Sequence, residues 1–178
     1  MSAEGSSRGE KTPRLAIFMI NQDELRAAFL RILELSHVQI SASDLRFERL
    51  PAPHRRPSRL PQGLQAVYAF FLGESCLKVG KAGPKSEARF TSQHYGMNAP
   101  STLAKSILAN RDRMAELAPP ELRLQLNSLT ETSVGPWVEF NTCRMHLFLP
   151  TSAGAFPVSL AEAFFQCRFQ PIFEGKVA

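Results

Sequence analysis

The chain reads as an α+β fold: a small antiparallel sheet, built from a β-hairpin and a third strand, flanked by helices and preceded by an N-terminal appendage. Three observations predict it. Gln65 to Leu72 is rich in aromatic and β-branched residues, Gly73-Glu74 makes a turn, and Ser75 to Gly80 returns, which is a hairpin signal. Segments of helical character follow, punctuated by Gly83-Pro84 and Pro119-Pro120. Trp137 to Leu149 then has strand-forming content, with Val138, Thr142 and Phe148 among the formers.

The elements follow in order. Residues 1–13 read as a disordered lead, and Leu15 to Ile20 is a short apolar run that suits a strand. Asn21-x-x-Glu24 resembles a capping box, and Leu25, Ala28, Phe29, Ile32 and Leu33 follow at helical spacing, so the pattern predicts a helix from Gln22 to Leu35. Pro51 to Pro61 carries four prolines and reads as an extended linker. It closes an appendage over residues 14–61 and leaves a main domain over 62–178. Beyond the hairpin, helices are expected over Lys85 to His94, Ser101 to Arg113 with Ser101 as N-cap, Glu121 to Leu129, and Ser159 to Phe169, the last stopped by Pro171.

Composition narrows the class. A hydrophobic fraction of 44% and a charged fraction of 21% over 178 residues are globular values. Three cysteines, Cys76, Cys143 and Cys167, form no CxxC or Cys/His ligand spacing, so a disulfide framework and a zinc site are not expected; Cys143 and Cys167 read as core filler. No apolar run approaches the roughly 20 residues of a membrane span, and the N-terminus does not suit a signal peptide. A reduced, cytoplasmic setting without a membrane partner is the expectation.

Charge is unevenly placed. Residues 55–113 carry ten Lys/Arg against three acids, a net +7, while the rest of the chain sums to −2. A basic block of this kind suits a polyanion, with nucleic acid the first choice. Within it lie the only two tyrosines, Tyr68 and Tyr95, together with Lys78 and Arg89. Adding Glu162 near the C-terminus gives a phenol, an amine, a guanidinium and a carboxylate. Those are the groups a metal-assisted phosphodiester hydrolase needs: a proton acceptor, two phosphate-facing cations and an anchor for a divalent ion.

Each also has a plainer reading. Tyr68 suits a core aromatic. Strict alternation puts Cys76, Lys78 and Gly80 on one strand face and Leu77 and Val79 on the other, so Lys78 points either to solvent or into a cleft. Lys85, Arg89 and Gln93 form an ordinary polar helix stripe that would equally clamp a phosphate. Ser159-x-x-Glu162 has capping-box spacing, yet the flanking residues are apolar nearly all round, and a buried carboxylate needs a partner or a metal. Trp137 reads as a core anchor, and His37 and His146 as surface or core histidines. Arg55, Arg56 and Arg59 suit a basic arm on DNA phosphates or a solvated linker.

From Leu64 to Glu174 the pattern resembles the GIY-YIG nuclease superfamily. Ala66-Val67-Tyr68 stands as the first name-giving motif and Lys78-Val79-Gly80 as the second, ten residues on across the turn. Arg89 falls where the family places its arginine, Glu162 where it places its metal-binding glutamate, and Pro171 closes the late helix as a family proline does. Lys78 replaces the second-motif tyrosine, which is closest to the restriction-endonuclease branch. Glu174 stands about where the family often has asparagine, and Gln93, with His94 and Tyr95 just beyond, stands where it usually shows His or Tyr.

The resemblance implies a divalent-metal-dependent endonuclease on DNA, with Mg²⁺ or Mn²⁺ held by Glu162. Tyr68 would be the general base, Lys78 its electrostatic aid and Arg89 the phosphate clamp. Gly80, Lys81, Lys85, Gln93, His94 and Tyr95 would support the site or touch substrate, and Arg55, Arg56, Arg59 and Lys105 would contact nucleic acid. Cutting both strands would call for a homodimer. Two other readings stay open: a degenerate module that binds nucleic acid without cutting it, and a protein-interaction domain with a basic face. Convergence of Tyr68, Lys78, Arg89 and Glu162 in space is what separates catalysis from these.

Overall fold

A computed structural model describes residues 20–100 and 102–174. The lead over 1–13, the Leu15 to Met19 part of the apolar run, and Ser101 lie outside the described residues.

The fold is α+β, with a four-stranded, wholly antiparallel sheet covered on both faces. Helix α1 (Gln22–Leu35) is followed by strand β1 (Arg46–Leu50), then by the hairpin β2 (Leu64–Leu72) and β3 (Ser75–Ala82). Short helices α2 (Glu87–Thr91), α3 (Leu103–Ala109), α4 (Arg111–Leu117), α5 (Pro120–Asn127) and α6 (Val134–Asn141) lead to β4 (Cys143–Pro150) and the long α7 (Ala155–Phe169). The strand order is β1-β4-β2-β3, so β2 and β4 lie inside the sheet with partners on both sides.

Burial on both faces explains why β2 reads as a nearly continuous apolar run rather than an alternating one. One face, with Ala66, Tyr68, Phe70 and Phe148, packs against α2 to α6 through Phe90, Leu103, Ile107, Leu126 and Val138. The other, with Val67, Ala69, Met145 and Leu147, packs against α1 and α7 through Leu25, Phe29, Leu33, Ala161 and Phe165. Helix α1 begins where its cap predicts: the Asn21 side chain accepts from the Asp23 and Glu24 amides at 3.0 and 3.3 Å.

Several expectations are corrected. The third strand does not run from Trp137; Val134, Trp137, Val138 and Asn141 are the buried side of a helix, at i, i+3, i+4 and i+7, and the strand starts only at Cys143. Trp137 is a core residue all the same. Strand β1 has no counterpart in the sequence reading, because its alternating charges resemble a solvated segment. Through β1, which pairs along its whole length with β4, residues ahead of the proline stretch join the same sheet as the hairpin. The expected helix from Lys85 to His94 is split into a 3₁₀ turn (Pro84–Ser86), α2 and a second 3₁₀ turn (Gln93–Tyr95), so Lys85, Arg89 and Gln93 share no continuous stripe. The segment expected as one helix to Arg113 is α3 and α4, with Thr102 capping α3 by accepting from the Lys105 amide at 3.1 Å.

Helix α7 starts four residues before Ser159, behind Gly154 at φ 81°, with Pro157 in its first turn. Ser159 therefore lies inside the helix and donates to the Ala155 carbonyl, which removes the capping-box role for Glu162. A bulge between Phe70 and Phe71 also breaks the expected alternation on β3. Cys76 and Val79 pack in the α1/α7 core, whereas Leu77 packs in the other, the face of Phe70 and Tyr68, which Lys78 and Gly80 oppose. Cys143 is half-buried and packs on the core, but Cys167 is exposed and is no core filler.

Candidate functional site

Tyr68 sits mid-strand in β2, opposite Gly80 on β3 and His146 on β4. The ring lies so close over Gly80 that a Cβ at that position would be 2.6 Å from the phenol oxygen. Only glycine allows this approach. The same oxygen is 2.6 Å from His94 Nε2, and the Leu103 amide donates to His94 Nδ1 at 3.3 Å. A backbone N–H can only donate, so the neutral imidazole carries its proton on Nε2 and donates it to the Tyr68 oxygen. His94 stays neutral: burial, and then the charges of Arg144, Lys78 and Arg89, hold its pKa down at about 3. The Tyr68 hydroxyl proton is thus left free of His94.

The charges of the other expected groups bear on this pair. Burial raises the Tyr68 pKa well above the usual phenol range, and the cations Arg144 and Arg89 oppose that rise while Glu162 and Glu174 add to it. Arg89 on α2 is exposed and makes no salt bridge among the described residues. Lys78 is buried, with Nζ 3.4 Å from Glu174 Oε1 and 3.4 Å from the Phe173 carbonyl. Glu162, half-buried on α7, pairs with Lys81 of β3 at 2.6 Å. One turn on, Gln166 donates to Glu174 at 3.1 Å, which ties the second carboxylate to the same helix. Tyr68 and Lys78 thus share the α2–α6 face of the sheet, whereas the Lys81–Glu162 pair belongs to the α7 side, with Lys81 opposite Val67.

A second buried network adjoins the first, and the sequence reading assigned none of it but Tyr95. Arg144 of β4 is 0% exposed. It donates to Tyr95 Oη at 3.1 Å and to the Phe90 carbonyl at 2.6 Å. Tyr95 Oη is 2.9 Å from His54 Nε2, and His54 Nδ1 is 2.8 Å from the Thr142 carbonyl. Burial lowers the His54 pKa, so the ring is neutral: Nδ1–H donates to the carbonyl and Nε2 accepts the Tyr95 proton. The proline-rich stretch is pinned at this point rather than running free. His146 is also a core histidine, its pKa held down at about 2, first by burial, with Nδ1 3.0 Å from Glu48 Oε2.

The basic arm resolves into two parts. Arg56 pairs with Glu139 and lies over the Tyr95 ring at 4.7 Å, so it is committed to the protein. Arg55 and Arg59 instead line, with Arg46 of β1, a cleft of about 450 Å³ floored by Phe90, His146 and Phe148. Phe90, in its lining, follows Arg89 on α2, and His146, also in its lining, is the β4 partner of Tyr68. Lys85 is exposed and Lys105 half-buried. Gln93 is half-buried, at the start of the turn that carries His94 and Tyr95 inward.

No protein-family model, curated protein or solved structure matches this chain. Whether a divalent ion suits the site is decided by its donors. Glu162 and Glu174 are hard oxygen ligands, and Glu162 already holds a cation, the Lys81 ammonium. Among the described residues no three His, Cys, Asp or Glu side chains form a preformed metal cage. Mg²⁺ is often bound by one or two carboxylates together with water and substrate phosphates, so these residues fit it. Among the same residues no helix is long and apolar enough to cross a membrane.

Proposed function

We propose that the chain is a GIY-YIG-type endonuclease that hydrolyses DNA phosphodiester bonds. The observation that carries this reading is the buried Tyr68–His94 pair closed against Gly80, with the exposed Arg89 on the neighbouring helix α2. Tyr68, once ionised, accepts a proton from the attacking water as that water's oxygen bonds to phosphorus and the bond to the leaving sugar oxygen breaks. The His94 Nε2–H bond and the charges of Arg144 and Arg89 stabilise the phenolate against the two carboxylates. Arg89, exposed and free of salt bridges among the described residues, is placed to clamp the phosphate through a bidentate contact. Glu162 would hold Mg²⁺ or Mn²⁺, which would supply Lewis acidity and neutralise charge on the phosphate. The Arg46, Arg55 and Arg59 cleft gives the strand beyond the site a basic track.

A second reading has its own support. Tyr68 is only 2% exposed, and Glu162 and Lys78 are already engaged by Lys81 and Glu174. A fold closed in this way suits a module that binds nucleic acid without cutting it. Incubating the purified chain with supercoiled and linear DNA separates the two. Cleavage with Mg²⁺ or Mn²⁺, abolished by EDTA and by Tyr68→Phe, is the expected result. DNA binding with no cleavage under either ion establishes the second reading instead, and a chain that binds no DNA ends both.

A further inference from the structure

Arg144 is the largest fully buried side chain, and among the described residues no carboxylate pairs with it. An interior guanidinium without a counter-ion is costly, and its Nε–H has no partner. What holds it is a neutral cage. Besides Tyr95 Oη and the Phe90 carbonyl, its guanidinium carbon lies 5.1, 4.9 and 4.7 Å from the ring centres of Tyr68, Phe70 and Phe90. Were packing the only requirement, an apolar side chain would serve, since such replacements of buried ions are often neutral or stabilising. An apolar side chain cannot supply a charge fixed against the ring of Tyr68.

We propose that Arg144 is a positioning residue: an interior cation that holds the Tyr68 ring from the β4 side and supplies the positive charge against which its oxygen turns negative. The proposal rests on the reading of Tyr68 as the proton acceptor. The charged and titratable groups that bear on Tyr68 are Arg144 and the neutral His146 from β4, His94 from its turn, Arg89 from α2, Glu162 from α7 and Glu174 beyond it, while the charge of Lys78 of β3 acts on His94. Two carboxylates therefore oppose two arginines. Arg89 is exposed, so water and salt weaken its effect, whereas Arg144 is screened by neither. The balance falls to Arg144. Its own neighbours Tyr95, His54 and His146 are uncharged near neutrality, and the one carboxylate whose charge reaches it, Glu48, is half exposed and held by His146.

The test compares the full chain with Arg144→Met and Arg144→Lys in three measurements. Cleavage by Arg144→Met should fall about tenfold or more near neutral pH, with the rising limb of the pH–rate profile displaced upward by about one unit. DNA affinity should stay within twofold, because Arg144 reaches no surface. Arg144→Lys should restore part of the displacement. The third measurement needs no cleavage: the imidazole titration, read from the acid limb of stability against pH, should place His94 protonation at higher pH in Arg144→Met than in the wild type. A wild-type chain that cuts no DNA would end the nuclease reading, while the imidazole titration would still test the charge of Arg144. A folded Arg144→Met protein with an unshifted profile or an unshifted imidazole overturns the proposal. If Arg144→Met does not fold, Tyr95→Phe removes one of the guanidinium's acceptors, and an unchanged pH–rate profile there overturns it equally.

Discussion

Gly80 and Tyr68 face each other across the hairpin so closely that one added carbon at Gly80 would sit 2.6 Å from the phenol oxygen. Gly80 is thus a steric condition for the position of Tyr68. Behind it, His94 donates to the same oxygen at 2.6 Å, so the phenol is fixed from two sides.

Gly80→Ala should push the Tyr68 ring off His94. The obstacle is a strand carbon and a buried ring, not a flexible side-chain end, so destabilisation of about 1–3 kcal/mol is expected. Urea denaturation checks the stability, and cleavage should fall at least as steeply as in Tyr68→Phe. A variant as stable and active as the wild type would show that the ring's position is not required.

Glu162→Gln should separate binding from cleavage. Gln keeps the size but gives up the charge that attracts a divalent ion, so cleavage should drop by orders of magnitude. DNA affinity should hold or rise, since Lys81 loses its counter-ion and is freed toward phosphate. Filter binding beside a nicking assay reads both. Near-normal, Mg²⁺-dependent cutting by the folded variant would end the assignment of Glu162 as metal ligand.

Acid should unfold the chain early. His94 and His146 titrate at about 3 and about 2 in the fold, against 6.5 when unfolded. Between those values the unfolded chain binds more protons, so their contribution is complete above pH 6.5 and is lost as pH falls. Two such groups cost together about 3 kcal/mol per pH unit from pH 6 to pH 4. Denaturant titrations across that range should show a slope of at least two protons, with His54 adding to it, and His146→Gln should reduce it by one.

Salt should act through the cleft. Replacing Arg46, Arg55 and Arg59 with Gln should lower the salt dependence of DNA affinity by about one unit of slope per lost phosphate contact. Arg56→Gln should change stability more than slope, because that side chain is bound to Glu139 and Tyr95. Equal slopes for the wild type and the triple variant would place the DNA elsewhere.

Local chemistry was legible in the sequence wherever the deciding partners were close along the chain. The Asn21 cap, the β2–β3 hairpin and its turn depend on neighbours within a few residues, and they appear where the patterns place them. The meeting of Tyr68 and Gly80 follows from the hairpin, since strand pairing carries one onto the other. Tertiary structure alone decided the rest. Strand β1 is a strand because β4 offers it hydrogen bonds from about a hundred positions away, and the Phe70/Phe71 bulge re-aims β3 against its own alternation. Arg144, charged and of a type that is almost always exposed, carries no local sign of burial. Its acceptors on Tyr95 and Phe90 come from 49 and 54 residues upstream. A cation becomes interior only when distant aromatic rings and carbonyls close around it, and that closure is a property of the packed fold rather than of any segment within it.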